Sequence, residues 1–261
     1  MSFTGKSPAN TYKDITYVDN GNSGVDSTAR QIKTGTGADT SIKISDRQLI
    51  VTSAVNNTGA MVVSNATGTT KFVVDTTNNQ VKALGTHVNT QYAYFGVSGG
   101  VAANWTNNTH YPLPFATNGH TPTNQSLLTF GTSTEPATSF TTADGANTDS
   151  SLLVPAMWYV PDNISIDGIT SLEGLTASST ITTRCHLYSY TFTSGSTSAL
   201  ASGTLLAHND DVTNAGSEQA YLSTWTVDSA SVAAGKVILA FFRMDTADDP
   251  SVSITVKYHL T

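Results

Sequence analysis

The sequence predicts an all-β chain: an extended N-terminal arm, a short intertwined β-shaft and a C-terminal jelly-roll-like β-sandwich, closed as a homotrimer. Three observations predict it. In Val252–Leu260, Val252, Ile254, Val256, Tyr258 and Leu260 alternate with Ser253, Thr255, Lys257 and His259, the period-two pattern of a strand with one buried face. Lys236–Met244 is apolar on both parities, as an interior strand covered on both sides must be. Between Thr40 and Leu84 short apolar pairs alternate with polar turns, in strands too short to bury a face within one chain.

Taken in order, residues 1–45 are poor in large apolar side chains and rich in turn formers. Asp19–Asp26 holds an Asn-Gly step, and Gly35-Thr-Gly37 adds a second break. Tyr12–Val18 and Ala29–Thr34 read as two short strands on either side of that loop. The segment has too few core residues to fold alone, so it needs a partner surface.

Residues 46–86 form the shaft. Leu49 and Val51, Met61 to Val63, Phe72 to Val74, and Val81 with Ala83 are separated by Asn56–Gly59, Asn65–Gly68 and Asp75–Asn79. Identical copies wound about one axis close each other's edges, and threefold symmetry is the simplest closure. Residues 87–112 read as a connector, with Tyr92–Phe95 packing at the base of the next module. Residues 113–261 form the distal sandwich. Its expected strands are Leu127–Phe130, Ser151–Val160, Ile164–Leu175, Thr180–Phe192, Thr204–His208, Gln219–Asp228, Lys236–Met244 and Val252–Leu260, with one helical turn at Asp228–Gly235.

Composition removes several function classes. Charged residues are 12% of the 261, half the usual share, so the surface is hydroxyl and amide rather than ionic. The net charge is −7 and no basic patch exists, which excludes nucleic acid as a partner. No apolar run reaches the length of a membrane span, and no signal peptide is visible, so synthesis in a host cytoplasm is expected. The single cysteine, Cys185, forbids an intrachain disulfide and reads as a small buried apolar residue.

The sequence holds no nucleophile elbow, P-loop or dinucleotide fingerprint, so no catalytic residue, cofactor or metal site is assigned and no enzyme is expected. The six histidines show no zinc spacing. His186 and His259 are expected on a solvated face or an interface, with a threefold His cluster binding a metal or anion as the sharper alternative. Asp245–Asp249 offers oxygen ligands for calcium but lacks the fixed Gly and distal Glu of an EF-hand, so it reads as a solvated hairpin tip. Trp158 and Trp225 are expected in the core, where aromatic side chains bury most area.

The N-terminal run Phe3–Tyr17 with Asn22–Asp26 resembles the amino-terminal segment of tail-fibre-like virion proteins of bacteriophages, marine ones especially. Lys71–Lys82 resembles their β-shaft units, and Tyr159–Pro161 with Val227–Ile238 their β-sandwich ends. The resemblance implies a virion location and a homotrimer anchored to a capsid, portal or tail protein by its N-terminus. Tyr12, Lys13, Asp14, Ile15, Tyr17 and Val25 are the implied anchoring residues. Separately, Trp and Tyr side chains with a Thr/Asn-rich tip suit a sugar, so a host surface glycan is the expected receptor class, with receptor-binding residues unassigned. Capsid decoration as a head fibre, or a free carbohydrate-binding module, remain as alternatives.

Overall fold

The computed structural model describes residues 15–21, 23–97, 106–116, 130, 150–175, 180–195, 200, 203–246 and 248–261. Among them the regular structure is antiparallel β, apart from one 3₁₀ helix. The chain divides into two compact units at Val88/Asn89.

In the first unit β1 (Thr16–Val18), β2 (Arg30–Thr34), β3 (Asp39–Ile44) and β4 (Leu49–Val51) form one meander. A second follows, of β5 (Met61–Ser64), β6 (Thr70–Asp75), β7 (Gln80–Ala83) and β8 (Thr86–His87). The polar segments between them turn because their side chains replace backbone partners. Asn65 Oδ1 accepts from the amides of Thr67 and Thr69 at 3.2 and 2.8 Å, and Gly68 takes φ +81°. Asp75 Oδ1 accepts from the amides of Thr77 and Asn78, each at 2.9 Å. These bonds hold Asp75 below the usual carboxylate range, the Asn78 side chain contributing most.

The second unit is a sandwich. Its strands are β9 (Thr90–Val97), β10 (Tyr111–Pro112), β11 (Phe115–Ala116), β12 (Trp158–Tyr159), β13 (Ile164–Leu175), β14 (Thr182–Thr191), β15 (Thr204–His208), β16 (Val212–Thr213), β17 (Gln219–Thr224), β18 (Thr226–Val227), β19 (Ser231–Val232), β20 (Lys236–Met244) and β21 (Ser251–Leu260). One sheet runs β10-β20-β14-β15-β18, with β12 on β20 and β16 on β14. The other runs β11-β9-β21-β13-β17, with β19 on β13. Residues 87–112, expected as a connector, thus supply a full strand of the sandwich: β9 pairs along β21 from Thr90↔His259 to Val97↔Val252.

The core between the sheets takes alternate residues of each strand: Phe95 and Val97, Ile164 and Ile166, Cys185 and Leu187, Ile238 to Phe242, and Val252 to Val256. Tyr258 and Leu260 pack against it half-buried, so the alternation of the last strand is observed as expected. Trp158 and Trp225 are also in this core. The opposite parity of β20 is buried too, because Val237, Leu239 and Phe241 meet Tyr188, Tyr190, Leu153, Phe130 and Leu200 in a second core. The two-sided apolar pattern of β20 is thereby explained: the sheet has a covered outer face.

Three expectations are corrected. Ser151–Val160 is not a strand: Ser150–Ala156 is a 3₁₀ helix containing Pro155, and only Trp158–Tyr159 pairs with β20. A short apolar run with a proline cannot donate a full ladder, and here it caps the second core instead. Asp228–Gly235 forms no helical turn, since Ser231–Val232 pairs with β13. Gln219–Asp228 breaks at Trp225, whose indole turns inward, so β17 joins one sheet and β18 the other. Of the expected strand Leu127–Phe130, residues 127–129 lie outside the described residues.

Candidate functional site

In the first unit the apolar residues chosen for closure divide: Phe72 to Val74 and Val81 are half-buried, while those of β5 are displayed. Every residue of β5 is exposed, with Met61 at 41%, Val62 at 49% and Val63 at 47%, and Leu49 and Leu84 are more exposed still. β5 is also an edge of its sheet. An apolar, uncharged edge strand with free backbone groups is the feature soluble proteins avoid unless another chain covers it.

Of the implied anchoring residues, Tyr12, Lys13 and Asp14 lie outside the described residues. Ile15, Tyr17 and Val25 are exposed, with Tyr17 on β1 opposite Lys33. Local polar order surrounds them: Lys33 Nζ reaches Asp19 at 2.8 Å, and Arg30 binds Asp26 at 3.0 Å. At such exposure these ion pairs fix loop shape more than they stabilise the fold.

The second unit offers a broad face with few charges. Because Ala93, Phe95, Val252, Ile254 and Val256 point inward, Tyr92, Tyr94, Ser253 and Thr255 point outward. Across β13 and β17 the register adds Leu172 opposite Leu222 and Thr170 opposite Thr224. Leu172 is 56% exposed and Leu222 72%, an aliphatic pair on a face rich in hydroxyls that also carries Lys257 and, beside His259, Asp167. At one end of the same sheet, a cleft of about 340 Å³ opens between Gly174 and Leu175, Glu218 to Ala220, and Asp249 and Ser251.

The interior holds a polar cluster that the sequence did not reveal. Glu173 lies on the inward row of β13 and is fully buried. Thr183 Oγ1 donates to its Oε2 at 2.6 Å. Its Oε1 accepts from Ser171 Oγ at 2.8 Å and from Asn209 Nδ2 at 2.9 Å. Ser171 in turn accepts from Trp225 Nε1 at 2.9 Å, and Asn209 Oδ1 accepts from the Cys185 amide at 2.7 Å. Burial raises the Glu173 pKa, against the lowering effect of its hydrogen bonds with Thr183, Ser171, Ser223 and Asn209. Burial, with the Glu173 charge second, pushes the Cys185 thiol well up, so Cys185 is the inert buried residue expected of it.

The histidines divide differently from expectation. His186 is not on a solvated face; it is fully buried, its ring 5.1 Å from that of His110 and 6.5 Å from Tyr188. Burial first, then the charges of His110, Arg184, His208 and Arg243, push it down to about 2, so it is neutral in the folded protein. His259 is also buried, with Nδ1 2.9 Å from Asp167 Oδ1 at the irregularity in β13. His208 Nδ1 meets Asp228 Oδ2 at 2.7 Å. Asp245, expected at a solvated tip, accepts from the Thr182 amide at 2.9 Å and so ties the end of β20 to β14.

No family model and no curated protein matches the chain. Among solved structures it is similar to an Eiger TNF from S. frugiperda, at 10% identity and a TM-score of 0.25, covering 66% of this chain and 94% of that one.

Proposed function

We propose that the chain is a structural, non-enzymatic component of a bacteriophage virion. It is a trimeric fibre-like appendage, anchored by its N-terminus and displaying the sandwich outward for attachment to a host surface. The observation that carries this reading is the β5 edge, where Met61, Val62 and Val63 form an exposed apolar strand that a single chain leaves uncovered. Three copies wound about an axis cover such edges mutually, which makes residues 46–86 a shaft. The sequence resemblance of residues 1–45 supports the anchor, and the exposed Ile15, Tyr17 and Val25 supply apolar contacts for docking.

The sandwich suits display. Its two buried layers make a rigid platform, while its outward face of Tyr92, Tyr94, Thr170, Thr255 and Leu222 offers aromatic and hydroxyl groups with little charge. Such a surface fits a neutral glycan, whose rings stack on aromatic faces and whose hydroxyls exchange hydrogen bonds. Deletion of residues 1–45 tests the assignment. The truncated chain is expected to keep a folded sandwich and to be missing from assembled particles. Its normal incorporation would overturn the anchor, and a reconstruction of the whole particle distinguishes a tail fibre from a capsid decoration.

A further inference from the structure

On the outward face of the β11-β9-β21-β13-β17 sheet the register brings three small residues into one row. Ala220 of β17 and Ser251 of β21 flank Gly174 of β13. The next outward row sets Leu222 and Ser253 on either side of Leu172. A strip without bulk beside an aliphatic step leaves a hollow, and this strip is the floor of the 340 Å³ cleft. The polar groups around that floor are of both senses. Gln219 Oε1 accepts from the Ala215 amide at 2.9 Å and from the Tyr221 hydroxyl at 2.6 Å. These bonds hold the carboxamide in place and present its NH₂ as a donor. Glu218 and Asp249 bring carboxylates, which accept, and no Lys, Arg or His stands among the lining residues.

We infer that this cleft is the subsite in which the sandwich holds one non-acidic sugar ring, an inference that rests on the reading of its outward face as a glycan receptor surface. The volume lies at the low end of small-molecule sites, roughly 300–1,000 Å³, and so takes a single ring rather than an extended oligosaccharide. A pyranose has what the cleft complements. Its C–H face lies on the floor of Gly174 and Ala220, and its edge hydroxyls donate to Glu218 and Asp249 and accept from Gln219. A hydroxyl on a carboxylate makes a short, charge-assisted bond, stronger than a neutral one. The same two carboxylates, with no basic side chain beside them, repel a sugar that bears an acid of its own. Selection in this cleft is therefore by charge as well as by size.

Binding of the purified full chain to an immobilised panel of neutral, amino and acidic glycans tests the inference, beside two variants that fill the floor. A Cβ at Gly174 would stand 3.6 Å from Ser251 Cβ, an ordinary contact, so Gly174→Val adds bulk to the cleft without displacing β13. Ala220→Leu fills the same floor from the edge strand, should Gly174→Val fail to fold. Expected are binding to neutral or amino sugars, its loss in both filled variants, and weakening by about tenfold in Glu218→Gln, as one charge-assisted bond requires. Undiminished binding in a filled variant that is folded by near-ultraviolet dichroism overturns the cleft and leaves the glycan-receptor reading standing. Equal or tighter binding of acidic glycans overturns the class of sugar. Absence of binding to every glycan overturns the receptor reading itself, and this inference with it.

Discussion

Replacing Glu173 by Ala removes the acceptor shared by Ser171, Thr183 and Asn209. The structure allows the cost to be apportioned. Thr183 has a fallback in the Val212 carbonyl at 3.4 Å, and Ser171 remains an acceptor for Trp225. Asn209 keeps its bond to the Cys185 amide but strands an NH₂ group. At about 1–3 kcal/mol per stranded buried donor, and with relief of the carboxyl's own burial in the opposite direction, the net loss is about 2–4 kcal/mol. Glu173→Gln retains the volume and one acceptor oxygen, so about 1–2 kcal/mol is expected. Equilibrium denaturation at fixed protein concentration reads both, with the buried Trp158 and Trp225 as reporters. An alanine variant within about 0.5 kcal/mol of wild type would refute the reasoning, because it would mean the cluster is wet or slack.

Other perturbations separate the layers of the sandwich. Phe241→Ala, which empties the second core beside Phe130 at 4.6 Å and Tyr188 at 5.9 Å, is expected to cost about 3–5 kcal/mol in the same denaturation assay. Gly203→Ala places a methyl 2.5 Å from Cε1 of Tyr190, a ring with no exposed surface, and should lower the melting temperature by the equivalent of about 1–3 kcal/mol. Acid titration of stability should show a loss as pH falls below the unfolded histidine value of 6.5, because His186 is neutral when folded down to about 2 while the unfolded chain binds the proton; His186→Gln removes that share. Glu173 acts in the other direction. Its raised pKa gives stability that is complete below the unfolded value of 4.5 and lost as pH rises through the folded value, so the slope above 4.5 flattens in Glu173→Gln.

The parts of the fold legible in the sequence are those where one strand carries its own pattern. β21 alternates because one face is wet, and β20 is continuously apolar because Leu153, Phe130 and Leu200 cover its second side. The misread segments are those where a short apolar run has two physical solutions. Ser150–Ala156 has strand-like composition, and the missing donor of Pro155 sends it into a 3₁₀ helix. The switch at Trp225 between sheets leaves no mark in residue type. The Glu173 cluster was hidden for a related reason: Ser171 lies two residues and Thr183 ten residues from Glu173, but Asn209 lies 36 away, and only the inward parity of β13 and β14 with the pairing of β15 on β14 brings them together. That parity was readable. A Glu on the buried row of Ile169, Ser171 and Leu175 was the available signal.

The account rests on copies of the chain covering the apolar edge of the first unit. Sedimentation of the purified full-length protein measures this directly. The expected result is a single species of three times 27.4 kDa, unchanged on dilution and shifted toward smaller species by Val62→Lys with Val63→Lys. A stable monomer, with amide-exchange protection across residues 40–84, would contradict it.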